Sequence, residues 1–181
     1  MEPFKNFNTF IANFIPGFIL FFILVIFSSL IFNTDLLKIN YFQNTFFIII
    51  GSAIMGIFVD DIRHFLIEEK LEKRWSKKTG KNIDEDFVVC APKIGVDIYK
   101  LVRDEFYYYY EFDFNMGLVF LFGSIILPFP LLLFYHFGCF LIVLSFIVPV
   151  VLGFAFCYFG KEGYYYFLNA LVEIKNGSIK K

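Results

Sequence analysis

Three long stretches of this chain carry no Asp, Glu, Lys or Arg: from Lys5 to Asp35, from Lys38 to Asp60, and from Asp113 to Lys161. A helix needs about 20 apolar residues to cross the hydrocarbon core of a bilayer. The first two stretches hold one crossing each. The third is more than twice as long as the second and holds two. These runs lack the alternating pattern of a barrel strand, and in lipid only helices and closed barrels satisfy their own backbone. They therefore predict four transmembrane helices, over 9–32, 42–59, 116–135 and 139–159. The first is too long in its apolar core for a secretory leader, and no small-residue cleavage site follows it, so it is expected to stay uncleaved.

Composition agrees. Of 181 residues, 59% are apolar, 23% aromatic and only 18% charged. Soluble domains carry about 25% charged and about 45–50% apolar residues. A soluble fold of this length cannot cover so much apolar surface. Disordered chains are poor in aromatics, so disorder is excluded as well. A formal net charge of -1 removes a strongly basic nucleic-acid binder.

The cations set the expected orientation. Of the 16 Lys and Arg, all but Lys38 fall before the first span, between spans two and three, or after span four. Such a bias keeps these segments on the cytoplasmic side of the inner membrane. Both termini are then expected inside. Cys90, Cys139 and Cys157 show no metal or disulfide spacing and are expected to be small buried hydrophobes.

Four parts follow from this pattern. Residues 1–59 hold spans one and two, 60–114 a cytoplasmic segment, 115–160 spans three and four, and 161–181 a cytoplasmic tail. Within the segment, Ile62, Leu66, Leu71 and Trp75 recur at helical spacing, which predicts a helix over 60–79 ending near Gly80. At about 1.5 Å per residue it would reach roughly 30 Å from the membrane. A turn-rich stretch over 80–95 follows, with 87–90 able to form one short strand. Ile98, Leu101, Val102, Phe106, Tyr109 and Phe112 then predict a second helix leading into span three. The expected fold is all-α, four transmembrane helices with a cytoplasmic helical hairpin between spans two and three. The tail is expected to be helical over 161–174.

Asp60, Asp61, Arg63 and His64 cluster where span two leaves the membrane, and Glu111 and Asp113 where span three enters it. Three readings compete. One is a charged collar at the membrane boundary, paired with Arg63, Lys100 or Arg103. Another is an acidic vestibule of Asp60, Asp61, Glu111 and Asp113 at a pore mouth, repeated by symmetry, which would concentrate cations. The third is a hydrolytic site using Asp60, Asp61 and His64, although the spacing matches no metal motif. Lys70, Lys73, Arg74, Lys77, Lys78 and Lys81 form a basic helix end, either a solvated surface or an anion site. No phosphate-binding glycine motif accompanies them.

The spans hold no charge, which argues against ion-coupled transport and voltage sensing. Their polar residues, among them Asn13, Ser52, Asn115 and Ser124, can line a narrow path or knit helices together. Ser52 and Gly56 make a small-xxx-small pair suited to close helix contact, within the chain or between copies. Pro16, Pro128, Pro130 and Pro149 are expected to bend three of the four spans.

A single small bundle has little interior for a pathway, whereas symmetry can build a channel from several copies. The expectation is an oligomeric, ion-permeable pore gated through its hairpin, with Ser52 and Gly56 at the constriction and no enzymatic role or cofactor. The alternative is a non-conducting anchor for a cytosolic partner. In size, span count and charged hairpin the layout resembles the small multi-span membrane effectors of bacterial antiphage systems. That resemblance implies membrane disruption triggered by a sensor protein, a nucleotide or an oligonucleotide, with Lys70–Lys81, Lys100 and Arg103 as the first places to seek a ligand.

Overall fold

The computed structural model describes residues 3–32, 45–72, 74–75, 108–134 and 139–175, all of them helical apart from a turn at Leu127. Helix α1 spans Pro3–Phe32 and α2 spans Thr45–Arg63. A π-helical stretch, His64–Glu72, continues α2. Helix α3 covers Tyr108–Ile126, α4 Pro128–Phe134 and α5 Cys139–Lys175. Four stretches are long and apolar enough to cross a membrane: Phe10–Phe32, Thr45–Ile67, Tyr108–Leu133 and Phe140–Glu173. This is the build of an integral membrane protein, and each expected span falls on one of them.

Where prolines were expected to bend the spans, they act in two ways. Pro16 and Pro149 lie inside helices that run on through them. Pro128 opens α4 after the Leu127 turn, at the helix position where its missing N–H costs nothing. The Leu127 N–H donates to the Gly123 carbonyl at 2.9 Å, closing the last turn of α3.

Packing makes α3 the hub. Helices α1 and α2 pair antiparallel, α3 lies against both, and α5 packs on α3. Leu20 and Ile23 of α1, Val59 of α2, and Leu118 and Val119 of α3 form one buried cluster. Glycines set the two closest approaches. A Cβ at Gly17 would run into the Ser52 carbonyl oxygen and the Gly56 nitrogen. A Cβ at Gly117 would lie 2.6 Å from the Cys157 sulfur. Without a hydrophobic force between helices in lipid, such backbone approach is what holds them together.

The tail is helical over 161–174, as expected, and continues span four without a break. It is the end of α5, whose 37 residues extend about 55 Å, against a hydrocarbon core of about 30 Å. One expectation needs correction, because the segment after α2 does not project straight away. A straight antiparallel continuation would carry Trp75 about 18 Å past Arg63 and far from Phe114. Instead the Trp75 ring stacks on Phe114 at 5.9 Å, with Tyr164 also at 5.9 Å and Tyr165 at 6.4 Å. Ile67 joins Tyr110, Phe114, Tyr164 and Leu168 in a second buried cluster, with Leu71 and Trp75 packed on it. The segment therefore crosses the ends of α3 and α5. Of the expected second helix, Tyr109 and Phe112 belong to α3, while Ile98, Leu101, Val102 and Phe106, like the strand over 87–90, lie outside the described residues.

Candidate functional site

Polar side chains converge at the charged end of the bundle, where α1, α2 and α3 meet. Arg63, in the last turn of α2, is only 2% exposed. Its Nε and Nη2 donate to Asp60 Oδ1 at 3.1 and 3.0 Å. Its Nη2 also donates to Glu111 Oε1 at 3.0 Å, across to the first turn of α3. Arginine suits this position because its fixed fork of donors can serve two carboxylates at once.

One turn deeper, Asn115 of α3 is fully buried. Its Nδ2 donates to the Ala12 carbonyl and to Asn13 Oδ1, each at 3.1 Å, and lies 3.5 Å from Asp60 Oδ1. Arg63 thus joins α2 to α3, while Asn115 joins α3 to α1. Asn115 Oδ1 and the Ser52 hydroxyl are buried with no hydrogen-bond partner among the described residues.

Aromatic packing adjoins this junction. Tyr110 meets Tyr164 edge-on at 5.6 Å and Phe114 at 6.1 Å. These are separations at which edge-on aromatic pairs attract. Gly160 and Gly163 of α5 let Phe114 and Tyr110 approach, since a Cβ there would lie 3.0 and 3.2 Å from them. A cavity of about 350 Å³ opens beside the junction, lined by Ile11, Ala12, Tyr108, Tyr109, Phe112 and Asp113.

The four acidic residues singled out in the sequence divide between environments. Asp60 and Glu111 are drawn into the Arg63 ion pairs. Asp61 is exposed, and Asp113 faces the cavity. Ser52 and Gly56, expected at a pore constriction, are buried against α1 inside one chain. A Cβ on Gly56 would meet the Asn13 carbonyl at 2.5 Å. Of the basic cluster, Lys70 and Arg74 are exposed, with the Lys70 ammonium 4.3 Å from the Phe65 ring centroid. Lys73, Lys77, Lys78, Lys81, Lys100 and Arg103 lie outside the described residues. Among the described residues no three His, Cys, Asp or Glu side chains lie close enough to hold a metal ion.

Sequence reasoning marked Arg63, Asn13 and Asn115 without separating their roles. The signal was there. An asparagine inside an uncharged span is costly unless bonded, so two of them predict an interhelical hydrogen bond. No family model matches the chain, and no curated protein or solved structure matches it either.

Proposed function

We propose that the protein is an oligomeric, ion-permeable membrane pore opened through the segment between its second and third spans. The supporting observation is the double attachment of that segment to the bundle. At one end Arg63 ties α2 to α3 through Glu111. Further along, Ile67 and Trp75 pack against Phe114 and Tyr164, and so against α3 and α5. A signal that displaces the segment must break or move these contacts, and both sets are carried by spans. A buried ion pair is well suited to a two-state element, because separating it is costly and re-forming it is specific.

In this reading the charged end faces the cytosol, in keeping with the distribution of cations. Several copies enclose the pathway, because the interior of one chain is closed by the Gly17–Ser52–Gly56 contact. Exposed Asp61 takes over the vestibule role first assigned to all four acids. The trigger is a cytosolic sensor protein, nucleotide or oligonucleotide, with Lys70 and Arg74 as exposed cations near the attachment. The layout's resemblance to antiphage effectors supplies a biological setting, in which activation depolarises the infected cell.

The test is ion flux from proteoliposomes containing the full chain. Arg63→Gln, which weakens the attachment, should raise basal flux at least several-fold over wild type. Arg63→Gln and wild type that are both silent, with the protein shown to be folded and inserted, would contradict the pore. The closed interior of a single chain favours a second reading, a non-conducting anchor for a cytosolic partner. Silent liposomes together with stable capture of one partner by the segment would establish it.

A further inference from the structure

We infer that the cavity between α1 and α3 at the charged end of the bundle binds the head of a membrane lipid bearing a primary ammonium group, of the phosphatidylethanolamine class. This site does not depend on whether the protein conducts ions.

The cavity's position comes first. Asp113 is the last charge before the third uncharged stretch, so the cavity lies at the level of lipid headgroups. Its lining comes from two parallel neighbours, Ile11 and Ala12 on α1 and Tyr108, Tyr109, Phe112 and Asp113 on α3. The volume of about 350 Å³ falls at the small end of ligand cavities, which run from about 300 to 1,000 Å³. It holds a headgroup, while the acyl chains stay in the bilayer beside the exposed apolar face of Phe10 and Ile15.

Chemistry then selects the occupant. Among the described residues the lining is apolar and aromatic except for one carboxylate, Asp113, which is half-buried and has no ion-pair or hydrogen-bond partner among them. The neighbouring acids differ, because Asp60 and Glu111 already hold Arg63. A carboxylate partly removed from water favours a cationic partner that can donate hydrogen bonds. Tyr108, Tyr109 and Phe112 supply ring surface that attracts cations. A primary ammonium satisfies both, with three N–H donors for the carboxylate. A choline head carries the same charge without any donor, and an anionic glycerol head is repelled. Ala12, which lines the cavity, also accepts the Asn115 hydrogen bond through its carbonyl, so an occupied cavity braces the junction.

The test uses purified full-length protein in detergent, equilibrated with equal amounts of phosphatidylethanolamine and phosphatidylcholine of identical chains. Retained lipid is counted by native mass spectrometry. Wild type should prefer the ethanolamine lipid by about tenfold, the ratio that corresponds to about 1.4 kcal/mol. Asp113→Asn, nearly identical in shape, should lower the preference below about twofold, and Asp61→Asn should leave it intact. In wild type, successive N-methylation of the ethanolamine head should weaken retention stepwise, a readout that requires no variant to fold. Equal retention of the two lipids by wild type overturns the inference. So does a preference that survives Asp113→Asn, one lost equally with Asp61→Asn, or indifference to N-methylation.

Discussion

Helices α3 and α5 are equally plain as spans and opposite in surroundings. In α3, eleven residues of nineteen are buried, including Glu111, Asn115 and Ser124. In α5, Phe140, Phe146, Val151, Phe154 and Phe159 are each half exposed or more. Hydropathy places both in the membrane and cannot tell which one the others pack around. Small and polar residues can. Gly117, Gly123 and Asn115 in α3 admit neighbours or bond to them, while the outer face of α5 offers only side chains that lipid solvates as well as protein does.

The buried helix is most vulnerable at Arg63, its ion-pair partner on α2. Arg63→Ala leaves Glu111 charged and nearly buried without this partner, and breaking a buried pair costs about 3–5 kcal/mol. Denaturant unfolding in mixed micelles should register that loss, and an effect under about 1 kcal/mol would mean the pair is solvated. Next in size is Gly17→Ala. The new methyl meets backbone atoms of α2, so α1 and α2 must separate, at about 1–3 kcal/mol. A thermal midpoint equal to wild type would show that the two helices are farther apart than described.

A matched pair of truncations sharpens the contrast between the two helices. Val119→Ala removes two methyl groups at a fully buried site of α3 and should cost about 1–2 kcal/mol. Val151→Ala does the same on the open face of α5, where Val151 is 60% exposed. It should stay within about 0.5 kcal/mol. Comparable losses from both would mean that α5 is covered by another copy of the chain. The smallest effect is optical. Trp75 is the single tryptophan, and Phe114→Leu should shift its emission to the red by removing the stacked ring.

Much of this was legible from charge alone. The uncharged stretches located all four spans, because taking a charge into hydrocarbon costs several kcal/mol and natural spans avoid it. The course of the segment after Arg63 was not legible. Apolar spacing marks which residues want burial, but Ile62, Leu66, Leu71 and Trp75 read alike whether their helix runs straight or turns across its neighbours. The π-helical stretch His64–Glu72 changes the angular step, so that Ile67 faces the α3–α5 pair while Leu66 stays exposed. Nor could the sequence sort the acids. Asp60, Asp61, Glu111 and Asp113 are chemically interchangeable until a buried arginine selects two of them.

The polar junction acts as one mechanical unit between α2 and α3. A double-mutant cycle measures this most directly, using Arg63→Met, Glu111→Leu and the pair together, with unfolding free energies taken under one set of conditions. The junction predicts a coupling of about 2 kcal/mol, with the double variant more stable than the sum of the single losses requires. Losses that add to within about 0.5 kcal/mol would mean that α2 and α3 do not communicate there.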